Sequence, residues 1–427
     1  IMKRVGLLIL FLFSLLISSA QINRYGHPFL KNIAPTEYDA EDQNWAIVQD
    51  NRGFLYVGNN SKGVLEYDGT TWRNIPIPNN PIVRSLAVDD NGTVYVGAVR
   101  EFGCLTPDSV GTLKYQSLNS ITNDTIQFSD IFKTYCHNGK VYFCSRQYVF
   151  VYDGNNVVPI YLGKQEIYSS LFTFLVNNNF YIGSFQKGLR QLNSNNTITE
   201  APNGSYFAKK DIYGIELLGN NNTLVITNKG FYKYNTISGS VTEVKGSNGF
   251  ISKYLASGLP YSTVKLANGH IALSTILSEK HSLVIIDTTG APQEIVYPAM
   301  GLRDNFVISS YQTKEGNLWL ALNSGIARVE TASPIRRFSA ESGLDGLILD
   351  IIEHNNSLYV GTMNGVYILR FDSEGFPKFH PISGINKPTF ALIEFTDPAS
   401  HKKILLAGTQ GDIFEIQTNK AISISKP

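Results

Sequence analysis

Short runs of apolar and aromatic residues, four to six residues long, alternate with polar turns along the chain after residue 20. Asn, Asp and Gly occupy those turns, as in the segments 89–92 and 137–140. Runs of this length, bounded by such turns, are typical of β-strands joined as hairpins. No amphipathic helix pattern of useful length competes with them. The pattern therefore predicts an all-β protein.

The strand pattern repeats along the chain. A motif that begins as Tyr56-Val57-Gly58 returns in degraded form, and its nine copies are spaced by 39 to 47 residues. The aligned positions are Tyr56, Tyr95, Tyr142, Tyr181, Val225, Ala272, Trp319, Tyr359 and Leu406. This period, with four short strands in each unit, is typical of a β-propeller blade. A β-helix would need a shorter period, and a β-sandwich would not repeat its sequence. Because one such sheet cannot bury both its faces, the units must stack in a ring.

Nine repeats exceed the number of blades that one propeller usually holds. We therefore predict a seven-bladed β-propeller over residues 21–338 and the first two blades of a second over residues 339–427. The segment 27–33 resembles the segment 333–338, which follows the seventh repeat. An N-terminal strand is thus expected to complete the seventh blade and to close the first ring. Because two blades cannot close a ring, we expect the chain to be part of a longer protein.

The first 20 residues have the pattern of a secretory signal peptide. Lys3 and Arg4 precede an apolar run over residues 5–17, and the small residues 18–20 form a cleavage site. A membrane anchor is the alternative interpretation. The apolar run of 13 residues is, however, shorter than the ~20 that span a bilayer. We therefore predict export and a periplasmic location for the mature chain.

Composition narrows the range of functions. Charged residues make up 17% of the chain and the formal net charge is +1. This balance argues against nucleic-acid binding through this region, because such binding normally uses a concentrated basic stripe. Export permits disulfides. In the predicted hairpin, however, Cys136 would face residue 141 and Cys144 would face residue 133, so these two cysteines are not cross-strand partners. Cys104 belongs to another repeat. We therefore expect three buried, free thiols.

The sequence contains no recognisable catalytic motif. It has no nucleophile elbow, no zinc-binding His-Glu-x-x-His, no Cys-x-x-Cys and no phosphate loop. Its seven histidines are dispersed and fall mostly beside predicted turns. Isolated carboxylates such as Asp130 and Asp211 are too few for the acid pairs that act on polysaccharides. We predict no catalytic residues, no metal site and no cofactor in this region.

The opening of the mature chain is similar to that of a known family. The segments 43–53, 56–59 and 63–72 resemble the start of Bacteroidetes sensor-regulators that carry two-component-regulator propeller repeats. The segments 83–89, 316–326 and 359–367 resemble later repeats of the same family. The resemblance implies a periplasmic ligand-sensing region of two propellers, followed by an immunoglobulin-like domain, one membrane helix and a cytoplasmic output module. Output modules of the family include histidine kinases, and none lies within residues 1–427.

Candidate ligand-binding residues follow from the predicted blade geometry. The first strand of a blade lines the central channel, and it starts eleven or twelve residues before each aligned position. This count places Trp45, Arg84, Asp130, Tyr213 and Tyr261 near the mouth of the channel. Aromatic rings stack on apolar sugar faces, while Arg and Asp fix acids or hydroxyls.

We therefore predict the ligand-sensing region of a transmembrane signal-transduction regulator, with a small molecule or a glycan fragment as ligand. A homodimer and membrane attachment through a C-terminal helix beyond residue 427 are further expectations. The alternatives are a secreted or surface propeller that serves as a binding scaffold and a propeller enzyme that acts on polysaccharides.

Overall fold

The computed structural model describes residues 26–119, 126–163, 171–276, 278–338, 340–371, 377–398 and 401–424. The predicted signal peptide lies outside these residues. Within them the chain forms nine four-stranded antiparallel sheets and two α-helices, α1 (Pro35–Tyr38) and α2 (Phe250–Ser257). Both the all-β class and the nine blade repeats predicted from the sequence are confirmed.

Each sheet is one blade, and in every blade except the seventh the strands follow one another in the chain from the first strand outward. Blades 1 to 4 consist of β2 (Asn44–Gln49), β3 (Leu55–Asn59), β4 (Val64–Tyr67) and β5 (Trp72–Ile75); β6 (Val83–Val88), β7 (Val94–Ala98), β8 (Glu101–Pro107) and β9 (Leu113–Ser117); β10 (Lys133–His137), β11 (Lys140–Cys144), β12 (Tyr148–Tyr152) and β13 (Val157–Tyr161); and β14 (Leu171–Val176), β15 (Asn179–Ser184), β16 (Gly188–Leu192) and β17 (Ile198–Glu200). Blades 5 to 7 consist of β18 (Ile212–Gly219), β19 (Asn222–Thr227), β20 (Gly230–Asn235) and β21 (Val241–Val244); β22 (Leu259–Lys265), β23 (Ile271–Ile276), β24 (Leu283–Ile286) and β25 (Pro292–Val296); and β26 (Val307–Gln312), β27 (Leu318–Leu322) and β28 (Ile326–Val329), completed by β1 (Leu30–Ile33). Blades 8 and 9 consist of β29 (Ile348–His354), β30 (Ser357–Thr362), β31 (Gly365–Phe371) and β32 (Pro377–Pro381); and β33 (Thr389–Thr396), β34 (Lys403–Thr409), β35 (Asp412–Gln417) and β36 (Lys420–Ser423).

Blades 1 to 7 form a compact unit over Phe29–Ala332. Strand β2 packs against β6 on one side and against β26 on the other, so the first and seventh blades meet and the ring is closed. The outer strand of blade 7 is β1, which pairs antiparallel with β28 and places Ile33 opposite Ile326. The seventh sheet is thus assembled from both ends of the unit's sequence.

The repeated tyrosine has a defined structural role in blade 1. Its equivalents all lie on the second strand of their sheets. Tyr56 is fully buried, and its hydroxyl donates to Oδ2 of Asp50 at 3.1 Å. Arg52, in the turn between β2 and β3, donates to the same carboxylate at 2.8 Å. Burial raises the pKa of Tyr56, so its hydroxyl stays a proton donor.

The cysteines have the cross-strand neighbours predicted from the sequence. Cys136 pairs with Val141 and Cys144 pairs with Lys133 across the β10–β11 hairpin. The three thiols are free; Cys104 and Cys144 are buried, whereas Cys136 is half-buried. Burial raises the pKa of both Cys136 and Cys144 to about 12. These thiols are therefore protonated at neutral pH and poorly nucleophilic.

Blades 8 and 9 belong to a second compact unit, made of the described residues up to Pro28 together with those from Ser333 onward. Their first strands, β29 and β33, pack against each other. Buried apolar side chains such as Leu392 and Leu405 fill the space between the two sheets. His354 of blade 8 lies 2.9 Å from Glu394 of blade 9, and Lys403 lies 2.6 Å from the same carboxylate. The two blades thus pack through an apolar layer with a charged edge.

Candidate functional site

The first strands of blades 1 to 7 surround the centre of the closed ring. Because every blade repeats the same strand order, all seven first strands begin at the same end of the ring. We call this end the mouth. It is defined by the first residues of β2, β6, β10, β14, β18, β22 and β26.

A one-residue register shift occurs at the start of most of these strands. In β2, Asn44 pairs with Asn59 and Ala46 with Gly58, which leaves Trp45 without a cross-strand partner. The residues left unpaired in this way in the seven-bladed unit are Trp45, Arg84, Tyr213, Tyr261 and Ile308. A bulge of this kind bends the strand and re-aims the side chain of the extra residue. Four of the five residues predicted to surround the mouth are therefore equivalent bulge residues.

Arg84 connects two neighbouring blades at the mouth. Its guanidinium lies 3.7 Å from the centre of the Trp45 ring in blade 1. Its Nε donates to Oδ2 of Asp130 at 2.8 Å. The Arg84 and Asp130 side chains are only 16% and 19% exposed. Both the cation–π contact and the ion pair are thus largely removed from solvent, where they are stronger than on an open surface.

Asp130 does not belong to a bulge but is held in place by the backbone. It forms an isolated antiparallel bridge with Val99, just beyond the end of β7. The next residue, Ile131, donates its N–H to the carbonyl of Ala98 at 3.0 Å. The chain entering blade 3 is therefore attached to blade 2, and this attachment brings Asp130 to Arg84.

Tyr261 approaches the same charges from the other side of the ring. Burial raises the pKa of its hydroxyl, while the positive charges of Arg84 and Arg146 oppose that shift. Tyr261 belongs to blade 6, and neither blade 2 nor blade 3 is adjacent to blade 6. Tyr261 therefore stands at the mouth in a blade that is not adjacent to those of Arg84 and Arg146.

Further aromatic side chains lie next to the predicted ones. Phe132 lies 5.1 Å under the guanidinium of Arg146. Tyr213 lies 6.1 Å from Phe172, and Tyr261 lies 5.8 Å from Phe306 in an edge-to-face contact. Trp45, Phe132, Phe172, Tyr213, Tyr261 and Phe306 come from six different blades. The mouth is thus bordered by aromatic rings around most of its circumference.

Sequence reasoning missed Phe132, Arg146, Phe172 and Phe306. The count of eleven or twelve residues passes over Phe132, which lies only ten residues before Tyr142. The distance is shorter in this blade because the β10–β11 turn has two residues, whereas the β2–β3 turn has five. Arg146 lies in the turn between β11 and β12, which a count aimed at first strands does not reach. Cys144, at the end of β11, pairs with Lys133 at the start of β10, so this turn lies at the mouth.

A second polar group lies further along the same first strands. Glu216 of β18 accepts a hydrogen bond from the Thr263 hydroxyl of β22 at 2.5 Å. Burial raises the pKa of Glu216, and its hydrogen bond to Thr263 and the nearby Lys133 and Lys265 oppose that shift. Burial also lowers the pKa of Lys133. The ring therefore holds ionisable side chains of both signs close to its aromatic mouth.

The ion pair between Arg84 and Asp130 leads to a prediction about stability. Asp130→Asn removes the charge that compensates Arg84 and leaves a largely desolvated cation, which costs several kcal/mol at fully buried sites. Because this pair keeps some solvent contact, we expect a loss of about 2 kcal/mol in the free energy of unfolding, measured by urea denaturation. Asp153→Asn is the matched control, since Asp153 is exposed in a turn of the same blade and accepts only backbone N–H groups that an amide oxygen also satisfies. Equal stabilities of the two variants would show that the ion pair does not hold Arg84.

A separate cavity of about 320 Å³ lies within the second unit. Its lining residues are Pro334, Arg336, Phe338, Glu353, Asn356, Ser357, Leu358, Leu369 and Phe371. The cavity lies against β30 and β31, on the sheet face that also carries buried Val360 and Phe379. Its lining combines apolar side chains with four polar or charged ones, and none of the residues predicted from the sequence takes part in it.

Two further observations concern metal binding and membrane insertion. Among the described residues, no group of three or more His, Cys, Asp or Glu side chains has the arrangement of a metal site. No helix in the described part of the chain is long and apolar enough to cross a membrane.

Comparison with known proteins gives a structural result only. No protein-family profile and no curated protein matches the sequence. Among solved structures, the extracellular domain assigned to the hybrid two-component system BT3049 from B. thetaiotaomicron matches over 94% of this chain and 55% of that chain, with a TM-score of 0.65 and 16% sequence identity. The chain is a β-propeller protein.

Two further structures match this propeller chain. The extracellular domain assigned to the one-component system BT4673 from B. thetaiotaomicron matches over 92% of this chain and 53% of that chain, with a TM-score of 0.53 and 17% identity. The chain thus spans about half the length of both B. thetaiotaomicron domains. Virginiamycin B lyase from Staphylococcus aureus matches over 70% of this chain and 98% of that chain, with a TM-score of 0.54 and 15% identity. Extracellular domains of two-component and one-component systems and a lyase therefore share the propeller fold with this chain.

Proposed function

We propose that this chain is the extracytoplasmic ligand-sensing region of a transmembrane signal-transduction regulator and that the ligand binds at the mouth of the seven-bladed ring. The observation that carries the proposal is the arrangement of Trp45, Arg84, Asp130 and Tyr261. These side chains come from different blades of one ring, and bulges or a backbone bridge position them. Concave, aromatic-lined sites with a few fixed polar groups are the usual binding sites for small ligands.

The likeness to extracellular domains of two-component and one-component systems supports the sensor role. Under this proposal the chain is exported through its N-terminal signal peptide, and the output module and the membrane helix lie outside residues 1–427. Ligand binding changes the relative stability of two arrangements of the regulator, because a ligand shifts an equilibrium only through its difference in affinity for the two states.

The proposed activity of the mouth is binding without chemical conversion of the ligand. Asp130 is committed to Arg84 through a 2.8 Å ion pair and is therefore poorly placed to serve as a general base. Glu216, which lies further along the first strands, is hydrogen-bonded to Thr263. The paired acid and base that cleavage of a glycan needs are not supplied by these two side chains.

A ligand screen tests the proposal. We expect at least one compound in a panel of neutral and acidic sugars, oligosaccharides and small aromatic acids to raise the melting temperature by several degrees, because a ligand at about 100 times its Kd stabilises the folded state by about 2.7 kcal/mol. Trp45→Ala is expected to abolish this increase, since it removes the ring that positions Arg84. Tyr161→Ala is the matched control, because Tyr161 is an exposed aromatic residue on the outer strand of blade 3.

The screen also has results that contradict the proposal. An unchanged ligand response in Trp45→Ala would place the binding site elsewhere. If no compound in the panel shifted the melting temperature, the binding-scaffold alternative would be favoured over ligand sensing.

A further inference from the structure

Arg146 differs from Arg84 in its electrostatic environment. Its side chain is exposed in the β11–β12 turn and stacks on Phe132 at 5.1 Å. No carboxylate among the described residues lies within ion-pair distance of it, whereas Arg84 is paired with Asp130. Among the described residues, the Arg84 guanidinium therefore has a carboxylate partner at the mouth, whereas the Arg146 guanidinium does not.

The carboxylates near the mouth already have partners. Asp130 accepts from Arg84 at 2.8 Å, and Asp211 accepts from the side-chain amide of Asn228 at 2.8 Å. Tyr261 is the bulge residue of β22 at the same mouth and packs against Phe306, and burial raises the pKa of its hydroxyl, which therefore stays protonated. A protonated phenol and a planar guanidinium are both donors, and together they match the acceptor oxygens of a carboxylate.

The rest of the mouth is aromatic. Phe172 and Tyr213 pack together in blades 4 and 5, and Phe306 packs on the edge of Tyr261 in blades 6 and 7. The flat faces of such rings bind the apolar face of a sugar or another aromatic ring. The cationic group and the aromatic surface thus lie around one opening.

From these contacts we propose that the mouth binds a ring compound that carries a carboxylate, with the carboxylate held by the Arg146 guanidinium and the Tyr261 hydroxyl. This inference rests on the proposed function, because it names the class of ligand for the same site. The body of the ligand contacts the aromatic side chains of blades 4 to 7. An acidic sugar and an aromatic acid share this chemistry.

Calorimetric titration with matched pairs of probes tests the inference. D-glucuronate is compared with D-glucose, and benzoate is compared with benzyl alcohol, so that each pair differs mainly in charge. At least one acid is expected to bind at least tenfold more tightly than its neutral partner. The pair that shows the difference identifies the body of the ligand as a sugar or as an aromatic ring.

Three variants test which side chains hold the carboxylate of the ligand. Arg146→Gln is expected to weaken binding of the acid at least tenfold, because a bidentate, charge-assisted contact is lost. Tyr261→Phe is expected to weaken it about tenfold or more, the usual cost of losing a hydrogen bond to a charged group. Lys140→Gln is the matched control and should leave the Kd within about twofold. Lys140 carries the same charge as Arg146 and lies exposed at the opposite end of β11.

The outcomes separate this inference from the proposed function. Equal affinity for acid and neutral partner, or equal effects of Arg146→Gln and Lys140→Gln, would overturn the assignment of an anionic ligand. If both acids fail to bind while a neutral compound raises the melting temperature in a Trp45-dependent manner, the ligand class is wrong and the sensing site stands. If no compound binds, both are wrong.

Discussion

A chain that begins at Ala34, and so lacks β1, is expected to lose about 5 kcal/mol of unfolding free energy in its seven-bladed unit. Two contributions lead to this value. Strand β1 buries Ile33 completely and Leu30 in part, and burial of such side chains contributes about 1.5–3 kcal/mol each. Its backbone also pairs with β28 along four residues, and each hydrogen bond contributes about 1 kcal/mol net. A loss of this size is comparable to the whole stability of many domains.

The measurement is urea denaturation followed by circular dichroism, with a matched chain that begins at Phe29. This control keeps β1 and loses only the residues before it, so it should unfold at the same urea concentration as the longer chain. Lys31→Ala is a second control, since Lys31 is exposed on β1 and should change the free energy by less than about 0.5 kcal/mol. If the chain that begins at Ala34 were as stable as the one that begins at Phe29, the ring would not depend on closure by β1.

Much of this architecture could be predicted from the sequence because it depends on repetition. Nine copies of one strand pattern specify nine blades, and a distance of eleven or twelve residues from each aligned position to the first strand specifies the mouth. The count located Trp45, Arg84, Tyr213 and Tyr261 because one bulge recurs at the same place in blades 1, 2, 5 and 6. A feature that every repeat shares leaves a regular signal in the sequence.

Features that belong to a single blade could not be predicted in this way. The contact between Arg146 and Phe132 joins a residue of the β11–β12 turn to the residue before β10, and the identity of these two side chains is not part of the repeated pattern. The ion pair between Arg84 and Asp130 joins residues 46 positions apart through a backbone bridge between blades 2 and 3. Such contacts depend on how neighbouring blades dock, and periodicity carries no information about them.

The glycine of the repeated motif explains how closely the blades dock, and it gives the second large prediction. In blade 2 this glycine is Gly97, which has no positive φ. A Cβ at Gly97 would lie 2.5 Å from Cγ2 of Ile131 and 2.7 Å from Oγ1 of Thr134 in blade 3. The same Cβ would also clash with Oγ of Ser85. Ser85 is held in this position because its hydroxyl donates to the carbonyl of Ile131 at 2.8 Å and contacts the Thr134 hydroxyl. The neighbouring blade therefore occupies the volume that a side chain would need.

Gly97→Ala is therefore expected to lose about 3 kcal/mol of unfolding free energy, since overpacking costs about 1–3 kcal/mol and disrupted buried hydrogen bonds add to it. Gly408→Ala is the matched control. Gly408 is the equivalent glycine in blade 9, and a Cβ there would meet only Ala391 at 3.8 Å, an ordinary contact distance. This control should stay within about 0.5 kcal/mol of the parent or gain slightly, because alanine restricts the unfolded chain.

The same substitution links blade docking to the mouth. Ser85 directly follows Arg84, and Ile131 directly follows Asp130, so a displacement between the Gly97 strand and blade 3 separates the two members of the ion pair. We therefore expect the Gly97→Ala protein to bind the ligand more weakly than the parent under conditions in which this variant is still folded. The Gly408→Ala protein should bind with unchanged affinity. Calorimetric titration of both variants measures this effect. A Gly97→Ala protein that is destabilised but binds with the parent's affinity would show that the mouth is positioned independently of the packing between blades 2 and 3.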